Sequence, residues 1–173
     1  GLFLVMTLHL SATSVSVRIL TAKVIRSFMF TPVEGRYSVY GDGILLTDYD
    51  ASGPLQMEME GDFIVLKMVE KNIGKFSSVK ITIANNAEGM FKIKSTTPAV
   101  KARTYADDLI ITIATDKKQF LLINKVDIEK YIAGVVESES GTRTSLEYYK
   151  LQSILCRTYL LANITRHAVE GFQ

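Results

Sequence analysis

The 173-residue sequence has few of the residues that mark several common classes of protein. It has one cysteine, Cys156, so this chain alone supplies neither a disulfide framework nor a cysteine-rich zinc site. Twenty Lys and Arg balance eighteen Asp and Glu without a basic cluster, which makes nucleic acid a poor candidate partner. No apolar run approaches the roughly 20 residues of a transmembrane helix. What remains is an ordinary globular composition, 47% hydrophobic, which is enough to bury one good core.

The first segment, residues 1–13, has a composition of its own. The run LFLVMTLHLSAT is apolar and then turns to small and polar residues. Two interpretations stay open: the end of a secretory signal with its cleavage region, although no basic residue precedes it, or a first β-strand. After it we predict a β-rich region over residues 14–100 and a second segment over residues 101–173.

Turn signals and a period of two residues predict β-hairpins up to about residue 125. Gly-Asp-Gly at residues 41–43 and Gly-Asp at residues 61–62 each separate two β-prone runs. Further hairpins are predicted to turn at residues 85–86 and 115–118. Hairpins in sequence indicate a mostly antiparallel sheet or a partly closed barrel.

At Asp127 the period of the apolar residues changes to that of a helix. Asp127 is the predicted N-cap, and Gly141 is the predicted left-handed stop. The apolar residues recur at i, i+3, i+4, i+7 and i+8: Ile128, Tyr131, Ile132, Val135 and Val136. A second helix is predicted from about residue 146 to residue 166, capped by Thr144 or Ser145. Its apolar stripe is expected to pack along the first helix and the sheet: Leu151, Ile154, Leu155, Thr158, Ala162 and Thr165. The predicted fold class is α+β, a β-hairpin-rich body followed by two packed helices.

Two glutamates near the end of the first helix differ in the direction they face. A helix turns about 100° per residue, so Glu139 returns to within roughly 20° of Ile128, whereas Glu137 lies about 180° away. Glu137 is therefore expected to be a solvated surface charge, and Glu139 to start at the edge of the core. Partial burial and the negative end of the helix dipole would both raise the pKa of Glu139. A carboxylic acid that keeps its proton near neutral pH can act as a general acid. The alternative is a hydrogen bond or ion pair at a helix end, with Arg157 or Arg143 as partner.

Two motifs resemble the stage II sporulation protein D (SpoIID) family, which includes lytic transglycosylases of bacterial peptidoglycan. They are LLINKVDIEKYIAGVVESESG and EYYKLQSILCRTYLLAN. The first is similar to the family pattern Leu-x-x-Tyr-Leu-x-Gly-Val-Val-x-x-Glu, and the second to a helix of the type Ala-Leu-Lys-Ala-Gln-Ala-x-x-x-Arg-Thr-Tyr. The matching positions are Tyr131, Gly134, Val135, Val136, Glu139, Lys150, Gln152, Arg157, Thr158 and Tyr159.

The resemblance implies that Glu139 is the catalytic acid. In such an enzyme one carboxylic acid protonates the bond between N-acetylmuramic acid and N-acetylglucosamine. The carboxylate then helps the 6-hydroxyl of the sugar to close a 1,6-anhydro ring, so no second acid is needed to activate water. Substrate-binding or orienting roles are expected for Arg157, Gln152, Lys150, Tyr159 and Ser140. Each has an alternative: Arg157 as a helix-to-sheet salt bridge, Tyr159 and Tyr148 as packing rings, and Gln152 and Lys150 as solvent-facing side chains.

No metal or other cofactor is assigned. Family members continue beyond this point with further cleft residues and, in some, a zinc-binding stretch, so residues 101–173 are expected to be an incomplete SpoIID-like segment. His167 stands where that stretch would begin, but no cysteine follows it.

The expected partners are peptidoglycan glycan strands and other cell-wall hydrolases, in an extracytoplasmic compartment. Two other functions stay open. One is a non-catalytic module that binds the cell wall or activates an amidase, and the other is a structural domain in which Glu139 forms a buried ion pair.

Overall fold

A computed structural model of the chain describes residues 14–49, 53–68, 71–86, 88–141 and 145–163. Residues 1–13, and with them the choice between a signal remnant and a first strand, lie outside this part. Within it, twelve strands precede two helices, which confirms the predicted α+β class. The strands are β1 (Ser14–Arg18), β2 (Ser27–Glu34), β3 (Tyr37–Gly41), β4 (Ile44–Tyr49), β5 (Leu55–Glu60), β6 (Phe63–Met68), β7 (Lys71–Phe76), β8 (Ser78–Ile83), β9 (Met90–Thr97), β10 (Arg103–Ala106), β11 (Asp108–Ile113) and β12 (Phe120–Asp127). The helices are α1 (Ile128–Ser140) and α2 (Leu146–Asn163).

The strands form two antiparallel sheets of six strands each. The order in the first sheet is β1-β12-β11-β8-β3-β4, and in the second sheet it is β10-β9-β2-β5-β6-β7. Strands β10, β11 and β12 complete sheets that begin before residue 100. The division of the chain at that residue stays a prediction.

The two sheets pack face to face over one apolar core. Aromatic rings join them, because Phe28 meets Phe120 edge to face at 5.3 Å and Phe30 meets Tyr37 in the same way at 5.4 Å. Along β5, β9 and β11 more and less buried side chains alternate, as the period of two predicts. Phe91 and Ile93 on β9, for example, are buried.

Three of the four predicted hairpins are confirmed. β3 and β4 join at Asp42 and Gly43, both with positive φ (48° and 84°), as a tight hairpin turn requires. β5–β6 and β11–β12 are also hairpins. The predicted hairpin at residues 85–86 is wrong, because β8 pairs with β3 and β11 whereas β9 pairs with β2 and β10. Asn85 adopts a left-handed conformation in a short 3₁₀ turn there, and the chain crosses between sheets.

Helix α1 begins and ends where the sequence predicts. The carboxylate of Asp127 accepts hydrogen bonds from the backbone N–H groups of Glu129 (2.8 Å) and Lys130 (3.2 Å). Gly141 ends the helix with φ 64°. A second, smaller apolar cluster attaches α1 to the β1 and β12 end of the first sheet. Its buried members are Val15, Val126, Ile128, Ile132 and Val136.

Helix α2 packs against α1 with a different face from the predicted one. Ser145, one of the two predicted caps, accepts a hydrogen bond at its Oγ from the N–H of Tyr148 (3.3 Å). The side chains turned toward α1 are half-buried and recur at helical spacing: Tyr149, Gln152, Ser153, Cys156, Arg157 and Leu160.

The predicted apolar stripe of α2 is exposed instead. Leu151, Ile154 and Leu155 are 56%, 58% and 54% exposed. Thr165 lies outside the described residues. Two polar contacts accompany this orientation: the hydroxyl of Tyr149 donates to the carbonyl oxygen of Gly141 (2.5 Å), and Arg157 pairs with Glu129. Among the described residues, no helix combines the length and the apolarity that crossing a bilayer requires.

Candidate functional site

The candidate site lies where the end of α1 meets the first half of α2. Glu139 occupies the last turn of α1, and Gln152 faces it from α2. The amide Nε2 of Gln152 donates a hydrogen bond to Oε2 of Glu139 at 2.5 Å. Two residues that the sequence motifs selected are therefore in direct contact, although thirteen positions separate them.

The prediction that Glu139 starts at the edge of the core is wrong, because its side chain is exposed. On the helix it does continue the direction of Ile128, Ile132 and Val136, but Val136 is the last residue of α1 in the apolar cluster. The final turn of α1 contributes no residue to that cluster, so helical periodicity alone overestimates the burial of this side chain. Gln152 touches the carboxylate without covering it.

An open groove runs beside Glu139. Its volume is about 740 Å³, and it lies between α1 and the strands β10 and β12. The floor on the helix side is formed by the stripe of Tyr131, Gly134 and Ser138. A Cβ atom added at Gly134 would meet nothing within 4 Å, so this residue leaves the groove wide.

Both glutamates line this groove. Glu137 is exposed, as predicted for a solvated surface charge. Each glutamate lies about 100° from Ser138 around the helix, on opposite sides of it. Because Ser138 faces the groove, long side chains on either side of it reach the two rims. Glu137 differs from Glu139 in its contacts, since only Glu139 receives the Gln152 amide.

Tyr131 connects the groove to the interface between the helices. Its ring is half-buried against the smaller cluster. Burial raises the pKa of the Tyr131 phenol, and the neighbouring Cys156, Glu139 and Tyr159 raise it further. The phenol therefore keeps its proton at neutral pH and can donate a hydrogen bond into the groove.

Polar contacts fix the strand side of the groove. The Asn124 side chain is buried and donates from Nδ2 to the carbonyl oxygens of Ala106 (2.7 Å) and Asp108 (2.8 Å). Lys130 Nζ bonds Asp107 Oδ1 at 2.8 Å, and this hydrogen bond raises the pKa of Lys130. Asp107 Oδ2 also accepts from the N–H of Asp127 (2.8 Å). Asp107 thus ties the start of α1 to the β10–β11 corner.

The other predicted site residues do not gather at Glu139. Arg157 pairs with Glu129 in the first turn of α1, about 15 Å along the helix axis from Glu139. It links the two helices, so it forms neither the predicted contact with Glu139 nor a bridge from helix to sheet. Lys150 pairs with Glu147 at 3.0 Å on the exposed side of α2.

Tyr159 and Ser140 lie closer to the site. Tyr159 is 66% exposed, and its hydroxyl is close enough to Tyr131 to raise the pKa of that phenol. Ser140 is half-buried at the last position of α1. Tyr148 is 43% exposed on α2. Arg143 and His167 lie outside the described residues.

Several groove residues had no role in the sequence analysis. Tyr131 was in the motif without a function, and Arg103, Tyr105, Asn124 and Lys130 were not selected. Asn124 carried a usable signal, because an amide at an inward position of an apolar strand needs hydrogen-bond partners. Arg103 and Tyr105 come from a separate strand, and no local pattern connects them to α1.

The fold and the site define an α+β protein whose helical pair presents one amide-bound carboxylate to an open groove. The family model described as SpoIID, stage II sporulation protein, matches residues 116–172, which confirms the resemblance seen in the two motifs. That family is associated with cell-wall lytic activity, and the match is consistent with a cell-wall-related sporulation protein. No curated protein and no solved structure matches the chain with significance.

Proposed function

We propose that this protein cleaves peptidoglycan glycan strands as a lytic transglycosylase, with Glu139 as its acid and base. The observation that carries the proposal is the contact between Glu139 and Gln152 at the rim of the groove. Both residues belong to the segment that matches the SpoIID family model. This hydrogen bond supports the view that Gln152 holds the Glu139 carboxyl group in a defined position.

The proposed reaction needs only one carboxyl group. Protonated Glu139 gives its proton to the glycosidic oxygen between N-acetylmuramic acid and N-acetylglucosamine, and the bond from that oxygen to the muramic anomeric carbon breaks. The muramic 6-hydroxyl then attacks this carbon and gives its proton to the Glu139 carboxylate. The products are an N-acetylglucosamine 4-hydroxyl and a 1,6-anhydro ring, and the acid is restored. A nucleophile held within the same sugar gains from proximity.

Because Glu139 is exposed, the bound substrate itself must shield the carboxyl group from water. The Glu139 side chain is in contact with water in the free protein, so the protein alone does not supply the desolvation expected from the sequence. A glycan lying in the groove would cover the carboxyl and remove water from it. Gln152 would hold the carboxyl in place during this step, and the protonated phenol of Tyr131 would offer a hydrogen bond to the sugar.

The test uses a matched pair of variants on one helix. Purified glycan strands lacking stem peptides are incubated with the wild type, Glu139→Gln and Glu137→Gln, and anhydro ends are counted by mass spectrometry. We expect Glu139→Gln to lose about 10²- to 10⁴-fold in rate, because that is the usual contribution of a general acid or base. Glu137→Gln should stay within a few-fold of the wild type. Since both side chains are exposed, neither change should shift the free energy of unfolding by more than about 0.5 kcal/mol.

The exposed position of Glu139 also favours a second candidate, a non-catalytic module that binds glycan or activates an amidase. Binding of strands by the wild type without anhydro products would support this module and contradict the catalytic proposal. Equal activity of the wild type and Glu139→Gln would contradict the assignment of the acid. Either function places the protein outside the cytoplasm, where its polymer lies. Protease accessibility in intact cells tests that location.

A further inference from the structure

A second groove adjoins the one at Glu139. Its volume is about 330 Å³, and it is lined by the end of β1, the loop that follows β1, Val100 and the strand β10. Arg103 and Tyr105 line both grooves, so the two meet along β10. β10 is the edge strand of the second sheet. The two grooves therefore share a wall at Arg103 and Tyr105.

The second groove is positively charged. Arg18, Lys23 and Arg103 line it, and no acidic residue does. In the part of the chain that the structure describes, none of these three cations forms an ion pair with a carboxylate. Arg103 forms a hydrogen bond with Tyr105. Burial raises the pKa of the Tyr105 phenol, and the charge and hydrogen bond of Arg103 offset only part of that rise.

The first groove carries both signs of charge, with Arg103 on its β10 side and carboxylates on its α1 side. Glu137 and Glu139 lie on its rims, and the charge of Lys130 is offset by Asp107. The surface therefore changes from acidic at α1 to basic beyond β10. A neutral polysaccharide would not be attracted by this change of charge, whereas a polymer with regularly spaced carboxylates would be attracted to the basic groove.

Apolar side chains give the second groove room for sugar rings as well. Ile19, Leu20, Ile25 and Val100 line it beside the ring of Tyr105. Leu20 has a positive φ of 55° in the loop after β1, and the N–H of Lys23 bonds the Leu20 carbonyl oxygen at 3.4 Å. This turn brings Lys23 back toward the groove.

We propose that the second groove binds carboxylate groups of the glycan strand while the scissile bond lies at Glu139. This inference rests on the proposed function, because it extends the same substrate path. The carboxylate can come from the lactyl ether of muramic acid or from a stem peptide attached to it. Arg18 and Lys23 supply the charge, and the apolar side chains contact the sugar faces.

Binding is measured with the full chain carrying Glu139→Gln, so that strands stay intact. End-labelled oligomers of the glycan strand are titrated by fluorescence anisotropy in three forms: with free lactyl carboxylates, with those carboxylates methyl-esterified, and with stem peptides. In this background Arg18→Gln with Lys23→Gln is compared with Lys71→Gln. Lys71 is an exposed cation on β7, at the opposite edge of the second sheet from β10, and lines neither groove.

We expect the free-acid oligomer to bind more tightly than its ester, by about two- to fivefold for each exposed cation involved. The double variant should lose this preference and bind acid and ester alike, whereas Lys71→Gln should keep it. Raising the salt concentration should weaken only the charge-dependent part. Tighter binding of the stem-peptide form than of the lactyl form would assign the carboxylate to the peptide, and the reverse order to the lactyl group.

Equal binding of the acid and the ester by the starting protein would overturn the inference. So would a loss of preference with Lys71→Gln as large as with the double variant. Catalysis is judged separately from the anhydro products of the wild type. Products together with charge-independent binding would contradict the second groove alone, and charge-dependent binding without products would contradict the enzyme alone.

Discussion

Replacing Ile132 by alanine tests how the helical pair is attached to the sheets. Ile132 is 3% exposed and lies in the middle of the small cluster of α1, β1 and β12. The change removes three carbon groups, which at about 0.8 kcal/mol each amounts to roughly 2.4 kcal/mol of burial. Such substitutions cost about 2–5 kcal/mol, depending on how far the site collapses. Because this cluster lies at one end of the protein and can close partly, we expect about 2–3 kcal/mol.

Ile154 on α2 provides the matched control. It loses the same atoms in Ile154→Ala, but its side chain is 58% exposed and alanine favours a helix slightly more than isoleucine does. The free energy of unfolding should therefore change by less than about 0.5 kcal/mol. In thermal unfolding followed by circular dichroism, Ile132→Ala should lower Tm by about 4–12 °C, and Ile154→Ala should leave it almost unchanged.

The comparison can refute the arrangement of the helices. A cost for Ile154→Ala equal to that of Ile132→Ala would mean that the leucine-rich face of α2 is buried, as its sequence pattern alone predicts. A cost below about 0.5 kcal/mol for Ile132→Ala would mean that the small cluster does not hold α1 in place.

Three further outcomes follow from single side chains. Gly134→Ala should raise the free energy of unfolding by about 0.5–1 kcal/mol in urea titrations, because a Cβ there meets open space inside a helix; a loss of stability would contradict the open groove. Asp108→Asn should stabilise the fold at neutral pH, because burial raises the pKa of Asp108 and disfavours its charged form, while the amide oxygen can still accept the Ile83 N–H. The gain in stability should vanish by about pH 3, where the side chains of the wild type and of the variant are both neutral. A variant that is less stable than the wild type at pH 7 would contradict this. Gln152→Leu should lower kcat about 2- to 10-fold with little change in KM, as expected for a positioning residue that loses one hydrogen bond to Glu139; a change in KM alone would assign Gln152 to substrate binding instead.

Much of the candidate site was accessible from sequence because it depends on two short motifs. Glu139 and Gln152 were selected by motif content and spacing, and the structure brings them into contact. The burial of Glu139 could not be predicted in the same way, because periodicity gives a direction around the helix and not how far along the helix the apolar cluster extends. Arg157 pairs with Glu129 rather than with Glu139. Its partner depends on how the two helices are aligned, which the sequence pattern does not give.

The sequence by itself determined the features that act over a few residues. The turn at Asp42 and Gly43, the cap at Asp127 and the stop at Gly141 are local choices of backbone conformation and hydrogen bonding. Tertiary structure alone decided which sheet receives β9, which face of α2 meets α1, and that Arg103 lines the same groove as Glu139. These depend on contacts between residues far apart in the chain, whose free energy appears only when the whole core packs, so no local pattern encodes them.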